Sequence, residues 1–158
     1  MISFALNALI AVIWLLLRSE PSPEAFAVGW AIGFALLSTF QPILGSHDYV
    51  RRGVAFVRFL LEFVGEVLVA NVRVAWAVLV RSKQSMHPNF MTYDVSGLRQ
   101  GEILLLSYCI SLTPGVTTVD VSRDFRTLII HALDAEHPAA IRAEIDRTLK
   151  RGILAFTR

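Results

Sequence analysis

The stretch from Val54 to Val80 constrains this chain most: mostly Val, Leu, Phe and Ala, with no proline. As a helix it would reach about 40 Å, longer than the ~30 Å hydrocarbon core of a bilayer. Its charges are Arg58, Glu62, Glu66 and Arg73. On a helical wheel they fall at about 0°, 40°, 80° and 60°, a single narrow stripe. Arg58 and Glu62 are spaced i,i+4, and Glu66 and Arg73 i,i+7, so each carboxylate has a local counter-charge. Uncompensated carboxylates in a membrane helix are costly and mark ion or proton paths. The compensated stripe instead predicts docking against a neighbouring protein or contact with headgroups, with proton or cation handling by Glu62 or Glu66 as the alternative. Asn71 lies at about 220°, away from the stripe, and so faces a different neighbour.

The composition divides at this helix. Before it, residues Ile2 to Leu17 are apolar except for Ser3 and Asn7, and Ala25 to Phe40 form a second apolar run. Between them, Pro21, Ser22 and Pro23 stop one helix and start the next, with Ser22 placed as an N-cap and Pro23 at the first helical position. No basic leader or small-residue cleavage site precedes the first run, so it reads as a retained transmembrane helix. So short a connector requires an antiparallel hairpin. Gly29 and Gly33 form a GxxxG pair that either lets another helix approach closely or reflects ordinary glycine usage in a membrane helix. Residues 41–53 read as a polar connection.

Two readings of the long helix compete. A stripe this narrow favours embedding, because an interfacial helix has a wider polar face. If the helix spans and the C-terminal part is cytoplasmic, however, Arg51 and Arg52 face outward, against the positive-inside rule. The balance gives a membrane region over 1–80, with helices at about 2–18, 23–40 and 54–80: a two-helix transmembrane hairpin plus a long amphipathic third helix.

After a polar linker at Arg81–Pro88 the pattern is that of a small soluble α+β domain, 89–158. Phe90–Val95 alternates as a strand with Met91, Tyr93 and Val95 on one face. Gln100–Thr113 is a helix stopped by Pro114-Gly115. Val116–Val121 is a strand with Thr117, Val119 and Val121 on one face. Ser122–Arg126 is a turn, and Thr127–Leu133 a third strand with Leu128, Ile130 and Ala132 together. Pro138 opens a last helix whose apolar face is Ile141, Ile145, Leu149, Ile153 and Phe156, with Asp146 and Lys150 as an i,i+4 pair. The order β-α-β-β-α matches a ferredoxin-like split β-α-β without its last strand.

The net charge of +2 is too small and too dispersed for nucleic-acid binding. Cys109 is the single cysteine and reads as a small buried hydrophobe, which excludes a disulfide framework. His47, His87 and His137 show no ligand spacing, so no metal is expected. There is no GxSxG, Walker loop, HExxH or dinucleotide fingerprint. His131 with Asp134 is the one conceivable general-base pair, and its strand setting favours a packed histidine. No catalytic residue and no cofactor is expected.

Three blocks carry a resemblance: Val69-Ala70-Asn71-Val72; Ser111-Leu112-Thr113-Pro114-Gly115 with Thr118-Val119-Asp120-Val121-Ser122; and Thr127 to Asp134. In this order, behind a short hairpin, they resemble the E subunit of the multisubunit cation/proton antiporters of the Mrp, Mnh or Pha type. Val116 stands where that family is expected to have Thr. The resemblance implies an accessory component, not an enzyme, in a bacterial cytoplasmic membrane with its C-terminal domain in the cytoplasm. It implies a complex that exchanges Na+ (or K+) for external H+, with large complex-I-like subunits and small membrane subunits as partners and lipid around them. Candidate docking residues are then Gly29, Gly33, Arg58, Glu62, Glu66, Asn71 and Arg73, while Thr113, Pro114 and Gly115 shape a structural turn. A stand-alone membrane-anchored adaptor with a soluble partner is the alternative.

Overall fold

The computed structural model describes residues 2–80 and 87–158. The expected linker at Arg81–Pro88 lies, as far as Met86, outside the described residues. The chain is mostly helical with one small three-stranded antiparallel sheet, and it divides into two compact units, residues 1–54 and 55–158.

In the first unit, α1 (Ile2–Leu16) packs against α2 (Pro23–Thr39). Ser22 is the N-cap of α2: its Oγ accepts the Ala25 N–H at 3.2 Å, and Pro23 opens the helix. Asn7, Ala11, Ala25, Gly29, Gly33 and Leu37 form the buried seam. A single turn, α3 (Gln41–Leu44), ends at Gly45 in the left-handed region (φ 59°), where a side chain would be strained. Ser46 is buried and donates to the Leu37 carbonyl at 2.7 Å.

The third long helix, α4 (His47–Val80), begins well before Val54. The polar composition of 41–53 hid this start. Asp48 suits the positive end of a helix dipole. Tyr49 also has a partner, because the Asn7 amide donates to its hydroxyl at 2.7 Å. The Tyr49 ring further meets Phe4 and Phe34 edge-on. By length and composition α4 is the one described helix long enough to cross a bilayer of ordinary thickness; α1 and α2 are shorter apolar helices.

In the second unit the sheet has the order β1-β3-β2, with β1 (Asn89–Asp94), β2 (Val116–Val121) and β3 (Thr127–Ala132), both pairings antiparallel. Helix α5 (Gln100–Leu112) follows β1. A helical stretch follows β3: α6 (Pro138–Ile145), one π-helical turn (Asp146–Lys150) and α7 (Arg151–Thr157). The core joins Met91, Tyr93 and Val95 to Leu128 and Ile130 of the sheet. It continues through Ile103, Leu106, Cys109 and Ile110 of α5 and Ile145, Leu149 and Ile153 after β3. The buried face is thus the Met91–Tyr93 side of β1, continued by Val95 just after it, and the Leu128–Ile130 side of β3, and the last helix buries the apolar face its spacing predicts.

Strand β2 is different. Its register shifts between Thr118 and Asp120, so Val119 is the extra residue of a bulge and is exposed. Thr117 and Val119 face away while Val121 turns toward the core side with Val116 and Thr118, so Thr117, Val119 and Val121 do not share the one face expected of them. A bulge reverses the alternation after it, which strict period-2 counting cannot anticipate.

The unit is closed by a buried carboxylate. Glu102, 3 % exposed, accepts from the backbone N–H of Arg99 at 2.8 Å, from Thr157 Oγ1 at 2.9 Å and from Arg158 Nη2 at 2.9 Å. Arg158 also donates to the Gly97 carbonyl at 2.8 Å. The guanidinium bonds dominate and, against the opposing effect of burial, hold the carboxyl at about 2, below its ordinary 4.5. A carboxyl so depressed contributes stability that is fully present above pH 4.5 and is lost as pH falls toward 2. Arg158→Ala should therefore lower the stability of the full chain in detergent by about 2–3 kcal/mol at pH 7, because it strands a buried charge. That penalty should shrink as Glu102 protonates on acidification. Thermal unfolding of wild type and variant across pH 7 to 3 checks it.

Candidate functional site

On α4 the side chains of residues 55–80 sort into three faces. Phe59 is buried in the domain core, with Gly152 directly beneath its ring. It stacks on Phe63 (centroids 5.9 Å) and meets Phe156 at 5.4 Å. Phe56 meets Phe156 at 5.3 Å, Ala70 is buried, and Val74 reaches Gly115. The pairing of Phe59 with Gly152 and of Arg73 with Glu144 means that α4 runs antiparallel to the helical stretch after β3.

Beside this packed face lies the charged stripe. Arg58 Nε donates to Glu62 Oε1 at 2.8 Å, and both side chains are exposed. Arg73 is 4.0 Å from Glu66 but only 3.4 Å from Glu144, which becomes its nearer partner. Asn71, on the far side, donates to the Val67 carbonyl at 2.8 Å and is exposed.

Glu66, Arg73, Thr113, Pro114 and Gly115 all line one cavity of about 200 Å³, whose other walls include Val74, Asp134, Glu144 and Leu149. The Thr-Pro-Gly turn is built for this position. Thr113 Oγ1 donates to the Cys109 carbonyl at 2.9 Å, closing α5. Gly115 has φ 93° and its carbonyl accepts from Leu133 at 2.8 Å. A Cβ there would sit 3.2 Å from Val74. The turn and the charged stripe, far apart in sequence, thus share one cleft.

Gly29 and Gly33 lie elsewhere, in the seam with α1. A Cβ on Gly29 would fall 2.8 Å from Trp14 Cβ and 3.0 Å from Ala11 Cα, and one on Gly33 would strike the Asn7 amide oxygen. The close approach that these glycines allow is made within this chain.

Cys109 is buried in the core, and burial pushes its thiol above the ordinary range. His131 faces Phe90 across the strands, ring to ring at 5.0 Å, and does not line the cavity that Asp134 lines. His87, Asp134 and Glu136 bring one ligand atom each within 4.8 Å of one another. Sequence spacing did not show this grouping, which depends on the Ala135 N–H bonding the His87 carbonyl at 2.9 Å. Sequence reasoning also missed Tyr49, Glu102, Glu144 and Arg158. For Glu102 a signal existed, a Glu at the third position of a helix. For Glu144 none did, since its partner is 71 positions away.

The family model described as "Na+/H+ ion antiporter subunit" matches residues 7–156. The Na+/H+ antiporter E subunit of Alkalihalophilus pseudofirmus is 31 % identical, covering 97 % of this chain and 96 % of that one. The chain belongs to the E-subunit family of Na+/H+ antiporters. The E subunit of Bacillus subtilis is 29 % identical over the same shares. Two solved assemblies contain a chain of similar fold. One is the archaeal membrane-bound sulfane sulfur reductase complex (TM-score 0.58, 19 % identity, 96 % of each chain). The other is the Mrp complex of Dietzia sp. (TM-score 0.50, 22 % identity, 65 % of this chain and 94 % of that one). The E-subunit relatives carry the names of transporter components, not enzymes.

Two substitutions test the roles of the glycines in this E-subunit chain. Gly115→Ala forces a left-handed residue to carry a Cβ and should cost about 1–2 kcal/mol, more if Val74 does not yield. Gly29→Ala pushes a methyl into the α1 backbone and should cost about 1–3 kcal/mol. Thermal midpoints of the full chain in detergent read both; an unchanged midpoint for either variant would mean that its glycine is not required at that contact.

Proposed function

We propose that this chain is an accessory component of a multisubunit cation/proton antiporter that exchanges cytoplasmic Na+ or K+ for external H+. It supports assembly and activity while larger subunits carry the ions. The observation that carries this reading is the nearly full-length match to the E-subunit relatives. The charged residues agree with it: Arg58, Glu62, Glu66 and Arg73 of α4 are paired with one another or with Glu144.

In this reading residues 1–80 are the membrane region and 89–158 a cytoplasmic domain, a ferredoxin-like half with strand order 1-3-2. Helices α1 and α2 form the transmembrane hairpin. At 15 and 17 residues they are about 22–26 Å long, so the bilayer must thin slightly or the connector enter it. Arg58 and Glu62 are exposed and are the docking residues toward neighbouring subunits, whereas Asn71 gives its amide to the Val67 carbonyl of its own helix. Glu66 and Arg73 are committed to the cleft wall. Glu62 acts by docking and Glu66 by holding Arg73 in the cleft wall; neither takes up ions.

Gentle-detergent purification of the tagged chain from its own membranes should bring down two large, multi-spanning antiporter subunits and several small ones. Recovery with only a soluble partner would favour the adaptor. Combined Arg58→Gln and Glu62→Gln substitution should lower recovery of the other subunits several-fold while the chain itself accumulates normally. Unchanged recovery and unchanged exchange would remove both residues from the docking surface.

A further inference from the structure

The length of α4 suits a membrane crossing, but its surroundings do not. The domain contacts it from Phe56 to Val74, about 27 Å of helix and nearly the full hydrocarbon thickness. The elements seated on that flank carry Arg142, Glu144, Asp146, Arg147, Lys150 and Arg151. If α4 crossed the bilayer along its length, these charges would be carried into or against the acyl chains.

The opposite side of the helix has another character. Between about 200° and 320° from Arg58 it presents aliphatic side chains without a charge. Leu61 is 70 % exposed, Val72 70 % and Leu79 82 %, and the exposed Leu60, Val64 and Leu68 fill the rest of the arc. Asn71, the one polar residue in this arc, already gives its amide to Val67. Trp76, exposed in line with Arg58 and about 40° past the arc's edge, suits a water–lipid boundary. Taken alone, the stripe is too narrow for an interfacial helix. The folded domain supplies the missing polar half, because the face next to the stripe is apolar only where it enters the domain core.

We propose that α4, from Val57 onward, lies along the membrane surface, with the Leu61–Leu68–Val72–Leu79 arc in the lipid acyl boundary and the domain on its opposite side. The occupant is lipid, argued from charge: every charge of this segment sits on the other half of the helix, and the arc offers neither charge nor a ridge of small residues to another helix. The inference deepens the reading of the chain as a membrane component and rests on it.

The test uses the full chain in its own membranes, with single spin-labelled cysteines at Leu61, Leu68, Val72 and Leu79. Buried Cys109 is retained, and the unsubstituted chain gives the labelling background. Accessibility to oxygen against a water-soluble nickel chelate gives depth. The expected result is one shared depth, about 5–10 Å below the headgroups, at all four sites. A profile that peaks near Leu68 at about 15 Å, midway across the core, overturns the proposal in favour of a spanning helix. Low accessibility to both probes also overturns it, since protein then covers the arc. As a check without substitutions, a lipid-phase carbene reagent should mark the arc along its whole length in the wild-type chain; absence of adducts overturns the proposal. Depth is read from the membrane-bound chain whether or not other subunits co-purify, so this inference and the assignment to an antiporter complex can fail separately.

Discussion

The second unit depends on a helix that is not part of its β-α-β-β-α pattern. Phe59 of α4 fills the space over Gly152, and Phe63 and Phe156 stack around it. Three strands and two helical segments would otherwise leave that end of the core open to water. Burial of a Phe side chain stabilises by roughly 1.5–3 kcal/mol, so this contact weighs heavily against the marginal stability of so small a domain. The same requirement fixes the glycine, since any larger residue at position 152 would displace the ring. The cleft at Thr113–Gly115 follows from it: once Phe59 is seated, Val74 falls over Gly115 and Arg73 within reach of Glu144.

The first unit rests on a different device. Its helices approach closely because Gly29 and Gly33 have no side chains, and the gap is filled by Asn7 and Ala11. Asn7 is fully buried, and its amide is drawn toward Tyr49. A buried amide tied to one hydroxyl ranks one packing of this unit above its alternatives, which apolar contacts among Leu, Val and Phe do far less well. The sequence offered a cue in a lone Asn within an apolar run, but its partner could not be named until the start of α4 was known.

Legibility in the sequence tracked the range of the interactions. The buried faces of β1 and β3, the Ser22 cap, the Arg58–Glu62 pair and the Thr113-Pro114-Gly115 stop are local, and each follows from spacing. The bulge at Val119 is set by pairing with β3 and breaks the alternation that spacing assumes. The Arg73–Glu144 and Glu102–Arg158 pairs join residues with no sequence relation. Five residues picked out from the sequence, Glu66 and Arg73 as docking residues and Thr113, Pro114 and Gly115 as a turn, line one cavity, but that convergence was not legible. Periodicity orients a side chain about its own axis and says nothing of which element lies opposite.

The same limit explains why the long helix was ambiguous. A helical wheel separates apolar from polar, but it gives no means of telling an apolar face that enters a protein core from one that enters lipid. In α4 the apolar face that enters the domain core and the exposed apolar arc lie about 140° apart, with the charges confined to one of the two borders between them. Counted together they resemble a transmembrane segment. Counted apart, after Phe59, Ala70 and Val74 are assigned to the domain, the remaining arc is about 120° wide, the width of a helix that rests on a surface. A compensated charge stripe at the border then needs no ion to justify it: it separates the half of the helix that meets protein from the half proposed to meet lipid.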